Sequence, residues 1–312
     1  MFRSALLYLS NQPRVFRFVR GNRLAKHFAR RFVAGETLPE ALDAVALLNA
    51  KGISVSLDLL GESVTNEREA RAAGADYLDI LDRIAERRLS ANVSVKLTAM
   101  GLDISEELCV DVMHDVLTRA QTYGTFVRLD MESSAYTERT LRLFEERLYP
   151  AYREHVGIVL QSYLYRTFSD VERANQLKCR VRICKGAYKE PASVAFPDKT
   201  DVDRTYVKCM HALMELGNYP GIATHDPAII DEAKRFAAAR SIDASRFEFQ
   251  MLYGVRRDLQ EQLVRDGYRV RVYVPFGTQW YPYLMRRLAE RPANVAFIAG
   301  NVAREMVRRR KR

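Results

Sequence analysis

The chain has no stretch approaching the roughly 20 apolar residues that a membrane-spanning helix requires, so a membrane span is excluded. It has only four cysteines, Cys109, Cys179, Cys184 and Cys209, with no CxxC pair among them. That argues against a disulfide framework and a thiolate metal site, and for reduced thiols in a cytosolic compartment. Five scattered histidines show no metal-ligand spacing, so no metal is expected. There is neither a G-x-G-x-x-G turn nor a P-loop, which removes the usual signatures of the dinucleotide and triphosphate folds. No Ser-His-Asp or Cys-His arrangement stands out, so nucleophilic catalysis has little support. With 10 prolines in 312 residues and 48% hydrophobic residues, the chain reads as a compact globular protein.

What it has in excess is positive charge, a formal +10, part of it at the two ends. Arg14, Arg17, Arg20, Arg23, Lys26, Arg30 and Arg31 stand near the start; Arg304 and residues 308 to 312 stand at the close. Such ends attract anionic lipid or nucleic acid without specificity, and a charge run is more often a solvated flank. With no recognition motif, no specific nucleic acid is expected. The basic start lacks an h-region followed by a small-residue cleavage site. Residues 1 to 48 therefore read as an N-terminal helical segment, and 301 to 312 as a basic C-terminal tail.

From residue 49 to 300 the rhythm is different. Short β-rich runs alternate with longer helical patterns, the signature of β-α units around a parallel sheet. The runs are Ile53 to Leu59, Asn92 to Leu97, Thr125 to Met131, Gly157 to Tyr163, Cys179 to Cys184, Gly221 to His225, Phe247 to Leu252 and Tyr268 to Val274. Helices are expected at Asn66 to Arg88, Ser105 to Tyr123, Thr137 to Glu154, Ser169 to Leu177, Asp201 to Leu216, Pro227 to Arg240, Arg256 to Asp266 and Gln279 to Arg291. Eight units over this length predict an α/β fold, a (β/α)8 TIM-type barrel with extra N-terminal helices. A doubly wound open sheet is the alternative, but it would usually carry fewer strands.

Chemistry in such a barrel sits at the C-terminal strand ends. Those ends carry Asp58 and Glu62, Lys96, Asp130 and Glu132, Gln161, Arg182 and Lys185 with Tyr188, Thr224 and His225, Glu248 and Gln250, and Tyr273. Any one is ordinary boundary composition. Eight in succession predict a polar mouth, because charges ending apolar strands are costly to bury unless they face one another or a ligand. A lysine in that position, Lys96 or Lys185, is also what a Schiff-base lyase would use. On the last predicted helix Tyr283, Arg286, Arg287 and Glu290 share an arc about 100° wide, and the two guanidiniums match a carboxylate or phosphate.

Together these pieces resemble the proline dehydrogenases. The matching motifs are Val95-Lys96-Leu97-Thr98, Arg128 to Glu132, Leu160-Gln161-Ser162-Tyr163, Arg182 to Tyr188, Ala223-Thr224-His225, Glu248 to Gly254, Tyr273 to Gly277 and Tyr283 to Glu290. They cover roughly residues 40 to 300. The resemblance implies FAD-dependent oxidation of L-proline to Δ1-pyrroline-5-carboxylate, with hydride passing from ring C5 to flavin N5 and electrons going on to a membrane quinone. It implies that Lys96, Arg286 and Arg287 hold the proline carboxylate, that Tyr283, Tyr273, Asp130 and Ile183 shape the pocket, and that Asp130 and Tyr273 help to fix Lys96 and its neighbours. It places Asp130, Met131, Gln161, Arg182, Cys184, Lys185, Gly186, Ala187, Thr224, His225 and Glu290 against FAD. Ile183 and Cys184 depart from the commonest pattern, Leu and Val, while keeping an apolar character. A cytoplasmic protein is expected, with its basic ends in peripheral contact with the anionic inner face of the cytoplasmic membrane.

Overall fold

The structure, a computed structural model, describes residues 30–61 and 63–290, with side chains described as far as Met285. Eight parallel strands close into a barrel in strict chain order. They are β1 (Ser54–Leu59), β2 (Ala91–Val95), β3 (Val127–Leu129), β4 (Val156–Gln161), β5 (Arg180–Cys184), β6 (Gly221–Ala223), β7 (Glu248–Leu252) and β8 (Val270–Phe276). Closure is made by β8 pairing with β1 from Ser54 opposite Arg271 to Leu59 opposite Phe276. The predicted (β/α)8 barrel is therefore the fold.

The helices are α1 (Leu38–Asn49), α2 (Glu67–Glu86), α3 (Glu106–Thr122), α4 (Ser134–Leu143), α5 (Thr167–Leu177), α6 (Lys199–Leu216), α7 (Pro227–Ala239), α8 (Arg257–Arg265) and α9 (Trp280–Glu290). Their starts carry caps: the Asn66 side chain accepts from Glu69 N–H and Ser105 from Leu108 N–H, which satisfies donors that lack a partner in the first turn. Two expectations need correction. The helix predicted over Thr137 to Glu154 starts at Ser134 and gives way to a π-turn at Phe144–Leu148, a short turn at Tyr149–Tyr152 and a 3-10 turn at Arg153–His155. Pro150 can donate no bond back along the helix and its ring crowds the carbonyl four residues earlier, so the helix widens there. The strand predicted to run to Leu97 stops at Val95, because Leu97–Met100 forms a 3-10 turn and Glu132 accepts from both the N–H and the hydroxyl of Thr98.

Helix α1 packs against β1 and β8. In a regular barrel the eighth crossover helix lies on that flank. With the flank already covered, α9 is released to lie toward the mouth, where Tyr283 is buried and lines the central cavity. Trp280 anchors the start of α9 by donating from Nε1 to Glu36 at 3.0 Å.

The barrel interior is not the usual stack of Val, Ile and Leu. Arg182 donates to Gln250, to the hydroxyls of Ser94 and Ser56, and to Asp130. Gln250 passes a hydrogen bond to Glu248, which is ion-paired with Arg271 at 2.7 Å. Arg271 reaches Asn92 and Asn92 accepts from Ser56. A hydrogen-bonded polar column thus fills the barrel axis, with apolar packing kept between strands and helices. Glu248, expected at the mouth, is the first residue of β7 and belongs to the opposite end. Arg271 and its hydrogen bonds hold its carboxyl below the usual range despite burial that pushes it up.

Candidate active site

The C-terminal ends of the strands surround a cavity of about 670 Å³. It is lined by Asp58, Lys96, Asp130, Met131, Gln161, Arg182, Cys184, Lys185, Gly186, Ala187, Tyr188, Thr224, His225, Gln250, Tyr273 and Tyr283, among others. Most residues singled out from sequence are therefore brought together. Arg286, Arg287 and Glu290 lie on α9, but their side chains are outside the described residues, as is Glu62.

On the floor, Lys96 donates to Asp58 at 3.0 Å, both side chains being buried. Burial pushes the Asp58 carboxyl up; the charge of Lys96 opposes this and that of Asp130 adds to it. Asp130 takes Arg182 at 2.7 Å on one oxygen and the Tyr273 hydroxyl at 2.8 Å on the other. The Arg182 guanidinium lies over the Tyr273 ring at 5.4 Å. Burial, then the charges of Asp130 and Asp58, push the Tyr273 phenol well up, so it stays a donor. Sequence reading has Asp130 and Tyr273 help to fix Lys96 and its neighbours; the structure joins both to Arg182 and pairs Lys96 with Asp58, a strand-end residue to which no individual role was given.

Ile183, expected to shape the pocket, does not line it. Strand neighbours point to opposite faces, and since Arg182 points into the barrel, Ile183 is turned to the helical layer, where it is fully buried. Its carbonyl accepts from the Tyr206 hydroxyl on α6 at 3.1 Å.

One flank carries a network of two lysines and two aspartates. Lys185 is gripped by Asp203 at 2.6 Å and Asp226 at 2.9 Å, and Lys199 also pairs with Asp203. Asp203 and Asp226 are held below the ordinary aspartate range, because these lysines outweigh the effect of burial. Asp226 also caps α7 by accepting from Ala228 N–H. Asp203 carried no sequence signal, since it stands within a helical pattern, near the start of α6, and reaches this flank only by pairing with Lys185. The nearby His225 accepts the Leu252 N–H on Nε2 at 2.9 Å, which leaves the neutral ring's proton on Nδ1.

Gly186 follows β5 with φ +104°, in a region that L side chains avoid, and a Cβ there would meet the Tyr163 ring at 2.6 Å. Glycine lets this backbone border the cavity. Gly186→Ala is expected to cost at least tenfold in affinity for a ligand on this flank while the barrel stays folded; ligand affinity and far-UV circular dichroism of the variant are the checks.

A closed parallel barrel with a polar cavity at its C-terminal mouth, two buried ion pairs on its floor and a helix closing over it defines a (β/α)8-barrel enzyme. The family model for proline dehydrogenase matches residues 41–300. The chain is 42% identical to proline dehydrogenase 1 of Bacillus subtilis over 98% of this chain and 100% of that protein. It is also 42% identical to the proline dehydrogenase of Deinococcus radiodurans over 96% of each. Among solved structures, proline utilization A from Bdellovibrio bacteriovorus inactivated by N-propargylglycine superposes with a TM-score of 0.81 at 27% identity. That match covers 89% of this chain and 34% of the larger protein. The chain belongs to the proline dehydrogenase family, and is an oxidoreductase whose reaction is the oxidation of proline.

Proposed function

We propose that the mouth cavity holds FAD and L-proline together and oxidises L-proline to Δ1-pyrroline-5-carboxylate. The observation that carries this reading is the Lys96–Asp58 pair on the floor, with Asp130, Arg182 and Tyr273 beside it and Tyr283 on α9 closing over it.

The residues present fit FAD. The glycine turn at Gly186 allows close backbone approach, Lys185 and Lys199 offer cations to a pyrophosphate, and Met251, Leu252 and Ala223 supply an apolar strip. Gln161, Arg182, Thr224 and His225 would border the flavin. FAD, when bound, supplies the hydride acceptor and the electron store. The chain's own part is positional: it fixes the ring against the flavin and excludes water.

Charge bookkeeping sharpens the substrate anchor. Lys96 with Asp58 is neutral, as is Arg182 with Asp130, and Lys185 with Lys199 is balanced by Asp203 and Asp226. Arg256, also in the lining, is paired with Asp258. In this reading Arg286 and Arg287 of α9, whose side chains lie outside the described residues, supply the net positive charge that the carboxylate meets, as the family resemblance implies. Arg287→Met should lower kcat/KM for L-proline at least tenfold, about 1.4 kcal/mol, mostly through KM and with flavin retained. Unchanged kinetics would return that helix face to solvent.

Both lysines of the Schiff-base alternative are engaged in ion pairs with aspartates, where that alternative needs an amine free to attack a carbonyl. Electrons leave to a membrane quinone in this reading, and the basic ends, which apart from Arg30 and Arg31 lie outside the described residues, supply peripheral attraction to anionic lipid. None of the described helices is long and apolar enough to cross a membrane. The experiment is turnover of L-proline with a soluble quinone, with the pyrroline product trapped by o-aminobenzaldehyde. Product formation that needs both FAD and quinone supports the reading, and a protein that forms no trappable pyrroline counts against it.

A further inference from the structure

At the N-terminal end of the barrel, opposite the active site, lies a second cavity of about 560 Å³. Arg180 and Arg271 line it, with Asn92 and His155 beside them and the exposed Arg88 at the rim. Behind its Phe126 wall lies the buried Arg128, so that the one ring is flanked by two guanidiniums at 4.7 Å and 5.2 Å.

The charges here do not cancel. Arg271 is paired with the buried Glu248 at 2.7 Å. The carboxylate nearest Arg180 is Glu154 at 3.8 Å, whose side chain is 68% exposed. Among the described residues Arg128 has no carboxylate in ion-pair contact; its Nη1 donates to the carbonyls of Ile158 and Arg180 at 2.9 and 2.8 Å. Among the described residues in and just behind this cavity, four guanidiniums, Arg88, Arg128, Arg180 and Arg271, stand against two carboxylates, Glu154 and Glu248, a surplus of two positive charges. The Nε atoms of both Arg128 and Arg180 are buried with no hydrogen-bond partner. Buried guanidinium donors are almost always satisfied, and an unsatisfied one calls for an ion, a water or a ligand. Burial and then the like charges of Arg182, Arg271 and Arg180 push Arg128 well below its ordinary value, a repulsion that a bound anion would relieve.

We propose that this end of the barrel is a binding site for a phosphate-type oxyanion, taken as free phosphate or as a phosphomonoester. A hydrogenphosphate dianion matches the surplus of two charges, and guanidinium forks match pairs of its oxygens. Leu81, Ile84 and Leu89 provide an apolar wall for the carbon part of an ester, for which the cavity has room beyond a bare phosphate.

The test is calorimetric titration of the flavin-loaded full chain with inorganic phosphate and with phenyl phosphate, at constant ionic strength against chloride. The expected result is one saturable site per chain, with phenyl phosphate bound at least as tightly as phosphate. Affinity should fall at least tenfold in Arg180→Gln and about threefold in Arg88→Gln, while proline turnover in Arg88→Gln is unchanged. If Arg180→Gln does not fold, Arg88→Gln and the charge-keeping Arg180→Lys decide. Absence of saturable heat above the chloride control overturns the proposal, and so does wild-type affinity in the rim variant together with whichever Arg180 variant folds. Binding lost in Lys185→Gln but kept in Arg180→Gln places the anion at the active-site mouth and also overturns it.

Discussion

Lys96→Met is expected to lower kcat/KM for L-proline by at least a hundredfold, about 2.7 kcal/mol. Two effects combine. In the proposed reading a charge-assisted hydrogen bond to the substrate carboxylate, worth about 1.5 to 3 kcal/mol, is removed. The buried Asp58, now without its 3.0 Å partner, also turns a carboxyl group toward an incoming anion. Burial already pushes the Asp58 carboxyl up, and Lys96 is the chief opposing influence, so its removal pushes the carboxyl further up. The sign of the stability effect follows. A folded-state pKa above the unfolded one favours the protonated folded form, so the variant should lose stability as pH rises from the ordinary aspartate range through the raised folded value. Adding Asp58→Asn should abolish that pH dependence and recover at least tenfold of kcat/KM over Lys96→Met alone. Thermal unfolding from pH 4 to 8 and steady-state kinetics on the two single variants and the double variant complete the cycle. Additive effects would mean that the two residues act separately.

Arg182→Met carries the second large effect, on stability as well as rate. The side chain is 7% exposed and bonded to Asp130, Gln250, Ser94 and Ser56, so its loss leaves Asp130 without its ion-pair partner inside the barrel. Breaking one partner out of a buried pair costs roughly 3 to 5 kcal/mol. For a chain of this size that corresponds to a fall in Tm of about 10 °C. Tyr273 keeps its bond to Asp130 but loses the guanidinium beneath its ring, so kcat should fall by more than KM rises. A variant with wild-type Tm would show that the polar column is not what holds the barrel interior.

The alternation of runs made all eight strands and the crossover helices readable before any coordinates, because the two periodicities differ and turn residues separate them. Individual facings were another matter. In a parallel barrel both faces of a strand are buried, so nothing in Arg-Ile-Cys-Lys says that Arg182 turns inward and Ile183 outward. The barrel interior being polar made this harder, since the apolar residue would ordinarily be assigned to the inside. Asp58 and Lys96 were visible as residue types at strand ends, but their pairing depends on the stagger between β1 and β2, which register alone decides. Asp203 was invisible because a helix that merely passes the mouth leaves no mark in local pattern. That α9 follows the eighth strand was readable in the sequence, while the reason that it is free to lie toward the mouth, α1 covering its usual flank, is a tertiary fact.

The central claim is that L-proline is oxidised at this mouth by bound flavin. The direct measurement is anaerobic titration of the purified protein with L-proline while recording the flavin absorbance. Stoichiometric loss of the oxidised-flavin bands, with the titration shifted at least tenfold in Arg287→Met, is the predicted result. A protein that binds no flavin, or one whose bound flavin keeps its oxidised spectrum under saturating L-proline, would contradict the account.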